Sequence, residues 1–221
     1  MKFYKLAVAA VAVLVSSSAS AAFMTYDDKM AFQAAAGTTV TEDFNSVAVG
    51  TNFIGTPLDL GGFTLQRTIG EFGIFDFGEI EGGSGAFNVD GTNFASVQTA
   101  TYIGNLVLNF DEPIFAFGLD LRGFNDLILR TSIWLDDDEY PGLTTVASND
   151  SLSFLGFTSD TSFTSITFLA NDIAGGDSGD GFGIDNIEYS TVSAVPVPAA
   201  AWLFGSAILA MFGFSRRKAR V

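Results

Sequence analysis

The stretch best suited to chemistry is Asn171-Asp172-Ile173-Ala174-Gly175-Gly176-Asp177-Ser178-Gly179-Asp180-Gly181-Phe182-Gly183-Ile184-Asp185-Asn186-Ile187. Glycine lets a backbone curve tightly, and carboxylates gathered by that curvature suit a hard cation such as Ca2+. Asp172, Asp177, Asp180 and Asp185 are the candidate ligands. More oxygens are available in Glu42-Asp43-Phe44-Asn45. With Phe44 turned inward, Asp43 and Asn45 point the other way. The pattern is not an EF-hand, which needs a Glu at the twelfth loop position, and its single Gly-Gly-x-x-Gly-Asp only approaches the calcium-binding nonapeptide. A Gly/Asp turn leading into a polar last strand accounts for the same residues without any metal.

Other chemistry is limited by residue supply. There is no His and no Cys, which excludes disulfides, His-based zinc sites and Ser-His-Asp or Cys-His catalysis. A carboxylate pair acting on a glycosidic bond is the catalytic alternative. Among 25 acidic residues some close pairs arise in any fold, so the expectation is a protein that is not an enzyme. Asp136-Asp137-Asp138-Glu139-Tyr140-Pro141-Gly142 reads as an exposed hairpin turn, and Glu79-Ile80-Glu81-Gly82-Gly83-Ser84-Gly85 as a flexible loop.

Charge is segregated along the 221 residues, whose net value is −15. All 25 acids fall between Asp27 and Glu188, alongside only Lys29, Arg67, Arg122 and Arg130, so this stretch carries −21 (four positive against 25 negative). Such a balance excludes nucleic-acid binding, which draws most of its affinity from basic surface. It fits a solvated acidic coat and is compatible with divalent cations.

These residues need a scaffold, and the pattern calls for strands. Thr25 or Asp27 can cap one short helix from Asp28 to Ala36, stopped by Gly37. Met30 and Phe32 do not share a face of it, so it should be only partly buried. Short β-rich runs follow at Thr38–Phe44, Gly62–Arg67, Gly73–Phe77, Phe94–Val97, Leu106–Phe110, Ile114–Leu121, Leu127–Trp134, Ser151–Phe157, Ser162–Leu169 and Phe182–Tyr189. Leu106, Leu108 and Phe110 alternate onto one face, whereas the spacing of Phe163, Ile166 and Phe168 predicts a bulge after Phe163. Short strands between turn signals, with no long amphipathic helix, predict an antiparallel, jelly-roll-like β-sandwich. All 23 Phe except Phe3, Phe204, Phe212 and Phe214 lie from Phe23 to Phe182. Each contributes about 1.5–3 kcal/mol when fully buried, a sufficient core for a domain without disulfides.

The two ends carry addresses. Lys2 and Lys5 precede ten apolar residues, Leu6 to Val15, then Ser16-Ser17-Ser18 and Ala19-Ser20-Ala21. This is the order of a signal peptide, with Ala19 and Ala21 as the small-x-small site and Ala22 as the new N-terminus after signal peptidase. The run spans about 15 Å as a helix, half of a bilayer's apolar thickness. At the other end, Ala199 to Phe214 is apolar apart from Ser206, and Val195 to Phe214 spans about 30 Å as a helix, enough to cross a membrane. Arg216, Arg217, Lys218 and Arg220 follow it and should stay cytoplasmic, leaving the acidic domain outside. The expected organisation is a signal peptide at 1–21, an acidic β-sandwich domain at 22–190, a linker with a Pro-x-Pro motif at 191–198, and a transmembrane tail at 199–221.

Pro196-Val197-Pro198-Ala199-Ala200-Ala201-Trp202-Leu203-Phe204-Gly205-Ser206, the apolar span and the Arg216-Arg217-Lys218 end are similar to the PEP-CTERM sorting signal. Val197 occupies the place of that family's Glu, as in its VPxPA-type variant. The resemblance covers only the tail. It implies an exported protein of a Gram-negative, exopolysaccharide-making bacterium, held transiently in the inner membrane until an exosortase removes the tail, and destined for the cell surface or biofilm matrix. In the middle domain, Gly181-Phe182-Gly183-Ile184-Asp185-Asn186-Ile187 resembles the last strand of jelly-roll lectin-like and carbohydrate-binding modules. That likeness implies a structural Ca2+ held by the strand's Asp near the N-terminal strand. Adhesion or contact with extracellular polysaccharide is the expected role.

Overall fold

The computed structural model describes residues 23–68, 78–100, 104–125, 131–139, 151–170 and 179–193. The signal-peptide and sorting-tail residues, Asp172 and Asp177, and the expected strand at 73–77 lie outside them. Among the described residues, no helix is long and apolar enough to cross a membrane.

The chain is mainly β, with strands β1 (Met24–Tyr26), β2 (Val40–Glu42), β3 (Leu58–Asp59), β4 (Phe63–Arg67), β5 (Gly78–Glu81), β6 (Phe94–Ala100), β7 (Leu106–Arg122), β8 (Thr131–Leu135), β9 (Asp138–Glu139), β10 (Leu152–Ala170) and β11 (Gly179–Ser190), and one helix, α1 (Lys29–Ala36). All these strand pairings are antiparallel and form one sheet.

Two long strands organise it. β7 and β10 pair along most of their length, from Leu152↔Arg122 to Phe168↔Leu106, with register shifts on either side of Phe163. Beyond that irregularity the neighbours change. The part of β7 after Ala116 pairs with β11, and the first part of β10 with β1. The early part of β7 pairs instead with β4, and the end of β10 with β8. The two regions then face each other. Phe168 of β10 and Phe182 of β11 have ring centroids 5.8 Å apart, and Phe63 of β4 meets Tyr189 of β11 edge-on at 5.8 Å. One apolar cluster fills the space between, including Phe44, Phe53, Leu65, Leu108, Phe117, Leu119, Phe124, Phe157 and Ile184. A single antiparallel sheet folded over its own core is consistent with a β-sandwich.

Several expectations therefore merge or shift. The separate runs at 106–110 and 114–121 are one strand, as are those at 151–157 and 162–169. The bulge falls at Phe163, as the spacing predicts. The segment read as a flexible loop from Glu79 begins as strand β5, paired to β6. Asp136 and Asp137 make a two-residue connection between β8 and β9. The helix starts at Lys29, one residue later than expected, because Asp28 rather than Thr25 or Asp27 is the cap: its Oδ1 accepts the Ala31 amide at 2.7 Å. Gly37, at φ 74°, ends it in the left-handed region that favours glycine. Phe32 is buried and Met30 is exposed, as their different faces require.

α1 lies on the outer face of the sheet, where Phe32, Ala36, Ala116 and Phe154 form a second apolar cluster. Gly118 and Gly156 are directly opposite on β7 and β10 and make its seat. A Cβ on Gly156 would lie 2.6 Å from Phe154 and 2.8 Å from Phe32. Gly156→Val should therefore lower unfolding free energy by about 1–3 kcal/mol. Gly82→Ala, whose Cβ would meet only Val49 at 3.7 Å, should change it by less than about 0.5 kcal/mol. Urea denaturation of the two variants measures the contrast.

Candidate functional site

The outer face has two covers. α1 sits over Gly118 and Gly156, while the segment from Gly82 to Asn93 sits over Gly181 and Gly183. A Cβ at Gly183 would fall 2.1 Å from the Phe87 carbonyl oxygen, and one at Gly181 3.0 Å from the Phe87 ring. Arg122 Nη1 donates to the Asn88 carbonyl at 2.8 Å and helps fix this second cover. The charged groups collect in the seam between the covers.

A bulge places them there. Ile184 and Ile187 are both buried in the core, three residues apart, which regular alternation does not allow. The β11–β7 register shifts between Asp185 and Glu188, and Asn186 takes φ 50°, a conformation Asn tolerates better than most residues. Asp185 lies opposite Asp120 in the ladder. Asn186 Nδ2 donates to Asp120 Oδ2 at 3.0 Å and to Asp90 Oδ2 at 3.3 Å, joining β7 to the Gly82–Asn93 cover.

From the helix side, Lys29 Nζ lies 2.9 Å from Asp120 Oδ2 and 3.4 Å from Glu188 Oε1. Gln33 Nε2 donates to both Glu188 oxygens at 2.9 and 3.0 Å, and Thr39 Oγ1 to one at 3.3 Å. Burial works to lower the Lys29 pKa, but hydrogen bonding and charge from Asp120 and Glu188 outweigh it and leave it raised. Lys29 is thus a fixed cation that clamps α1 to two strands.

Asp185 has no such partner. The residue is fully buried. Its Oδ1 accepts the Asn186 amide at 2.7 Å, while its Oδ2 has no hydrogen-bond partner. Desolvation is the main reason its pKa rises to about 7; the charges of Asp90, Asp120 and Asp43 push the same way against the Asn186 amide. A buried carboxylate beside like charges requires a proton or a cation.

The predicted ligands separate on this geometry. Asp43 is close enough to act on Asp185 electrostatically, though its Oδ1 accepts the Asn45 amide at 3.1 Å. Asn45 Oδ1 accepts from the Asn93 amide at 3.3 Å. Asp180 lies elsewhere, in a buried network: its Oδ2 accepts from the Asn125 amide at 3.0 Å and from Thr131 Oγ1 at 3.2 Å. There it ties β11 to the entry of β8. Among the described residues no group of three or more carboxylates is placed to hold a metal ion. The orphaned Asp185 oxygen fits a hard cation chemically, but the remaining ligands would have to close around it.

Sequence reasoning missed Asp90, Asp120, Asn186, Lys29 and Glu188. The usable signal for three of them was the Ile184–Ile187 spacing, which requires a bulge, together with the alternation of Leu119 and Leu121 around Asp120.

No family model and no curated protein matches the chain. Among solved structures, the K2 cleaved adhesin domain of Lys-gingipain is 12% identical, with a TM-score of 0.40, over 69% of this chain and 99% of that one. The K1 cleaved adhesin domain of Lys-gingipain from Porphyromonas gingivalis W83 is 8% identical, with a TM-score of 0.37, over 71% and 100%. Overlap this loose carries neither fold detail nor role across.

Asp185 makes stability depend on pH in a defined direction. The unfolded carboxyl releases its proton near 3.8, the folded one near 7, so the native state binds more protons between those values. Its stabilising contribution is complete below about pH 4 and is lost as pH rises through 7, by up to roughly 4 kcal/mol. Denaturant melts in EDTA from pH 4 to 8 should show this fall, and Asp185→Asn should flatten it.

Proposed function

We propose that this is an exported cell-surface or matrix protein of a Gram-negative bacterium. Signal peptidase releases it at Ala22, and an exosortase-type enzyme sorts it through Pro196-Val197-Pro198 and the apolar tail that anchors it in the inner membrane. Its jelly-roll-like domain acts without catalysis, in adhesion or contact with extracellular polysaccharide. The observation carrying the reading is the match between fold and addresses. β1 begins at Met24 and β11 ends at Ser190, so the paired unit fits between Ala22 and Pro196. The concentration of −21 within that unit, and its lack of Cys, suit a domain that works outside the cell. Protein recovered from the cell surface should have an intact mass that begins at Ala22 and lacks Trp202 to Val221. Retention of either end would refute the matching processing step.

Ca2+ belongs to the same reading as a structural ion, with Asp185 supplying the oxygen that lacks a partner and Asp43 the carboxylate from the turn after β2. Binding only the folded state stabilises it by about 2.7 kcal/mol at a hundredfold excess over Kd. Millimolar Ca2+ should raise the Tm of residues 22–194 more than matched Mg2+, which demands a stricter octahedron, and Asp185→Asn should abolish the difference. Equal shifts from both ions would mean diffuse screening of the acidic coat.

A further inference from the structure

The helix and the Gly82–Asn93 segment both cover the region of the sheet that holds β1 and β11. The other region, built from β4, the early part of β7, the end of β10, β8 and β9, has an outward face of different character. One row of residues crosses it in register: Gln66 pairs with Val107, Val107 with Thr167, Thr167 with Trp134, and Trp134 with Glu139. A second row runs through Asp59, Thr64, Asn109 and Ser165, and Asp136 closes it, its Oδ1 accepting the Ser165 amide at 2.9 Å. Partners across an antiparallel ladder share a face. The alternate positions Leu65, Leu108, Ile166 and Leu135 belong to the core, whereas every residue of the two rows keeps some solvent exposure. Gln66 and Glu139 stand four strand spacings apart, about 19 Å.

Trp134 is the fixed point of this face. Its Nε1 donates to Ser132 Oγ at 2.9 Å, two residues back on the same side, so the indole lies along β8 rather than standing away from it. At the far end Gln66 is held by the bond from its Nε2 to the Gly55 carbonyl at 3.0 Å. Thr64, Asn109 and Thr167 offer two hydroxyls and an amide between them. The charge pattern selects the ligand. In a stretch that carries −21, the acids of this face, Asp59, Asp136 and Glu139, stand only at the row ends. Of the described basic residues, Lys29 is tied to Asp120 and Glu188, Arg67 is buried, and Arg122 holds the Asn88 carbonyl. None lies here, so an anionic polymer meets no counter-charge. A protein partner would want an apolar centre, and Trp134 and Val107 are the only apolar members of the two rows. A sugar chain with apolar C–H ring faces and a rim of hydroxyls matches both the indole and the amides and hydroxyls around it. We propose that this face takes an uncharged polysaccharide laid across β4, β7, β10 and β8, with one pyranose ring stacked on Trp134 and Thr167, Asn109 and Gln66 bonding the hydroxyls. The assignment rests on the polysaccharide-contact reading above and gives it a surface and a ligand class.

The test is affinity electrophoresis of the full chain in non-ionic detergent, through gels holding hydroxyethyl cellulose, galactomannan or laminarin, which are neutral, or alginate, which is anionic. At least one neutral polymer should retard the protein, and alginate should not. Trp134→Ala should weaken binding at least about tenfold, and Trp134→Tyr, which keeps a ring, by no more than about threefold. Asn109→Ala, at an exposed position, should weaken it by about threefold, and it decides the matter if Trp134→Ala loses cooperative melting. Undiminished binding by folded Trp134→Ala, or by Asn109→Ala where the first variant unfolds, would overturn this face while leaving polysaccharide contact intact. Retardation by alginate equal to or above that by the neutral polymers would overturn the uncharged ligand. No retardation by any of the four would overturn the polysaccharide reading, and this face with it.

Discussion

The pairing of β7 with β10 is the constraint on which the rest depends. These strands run together through both regions of the folded sheet, and the irregularity around Phe163 is where their neighbours change. On the core side they contribute Leu108, Phe117, Leu119, Leu121, Phe157, Ile166 and Phe168. On the outer side the facing Gly118 and Gly156 leave room for Phe32 and Phe154, which fixes the helix. The helix in turn brings Lys29 to Asp120 and Glu188. A break in this pair would disperse core, helix and polar seam together.

Much of this was legible in the sequence because burial on one face leaves a period of two. Leu106, Leu108 and Phe110 announced a strand, and Met30 with Phe32 a one-sided helix. Bent strands were harder to read, since Asp111-Glu112-Pro113 looks like a turn between two strands. β7 runs on through it, and the Asp111 amide donates to the Gly62 carbonyl at 3.1 Å. Short strands such as β1 and β3 carry too few residues for any period to show. Asp185 was legible as a candidate ligand, but its surroundings were not. Asp90 and Asp120 reach the seam from distant parts of the chain, and no local pattern reports such a meeting. Asp180 shows the converse: a Gly/Asp setting suggested a cation, whereas the fold uses its carboxylate to accept from Asn125 and Thr131.

The seam carries two solutions to the same electrostatic problem. Lys29 answers Asp120 and Glu188 with a covalently attached cation, at the modest strength expected of a partly exposed pair. Asp185 lies too deep for that and keeps one oxygen without a partner. A proton neutralises that carboxyl at low pH; under the function proposed above, Ca2+ would neutralise it instead. In an acidic, cysteine-free domain a bound ion would join β11 to the turn after β2, a role disulfides often play outside cells.

The state of the Asp185 carboxyl is therefore the central claim, and 13C NMR of its side-chain carbon reads it directly. In EDTA the resonance should titrate with a midpoint near 7, and with excess Ca2+ it should remain that of the carboxylate down to at least about pH 5. A midpoint near 4 in EDTA, unmoved by Ca2+, would contradict the account.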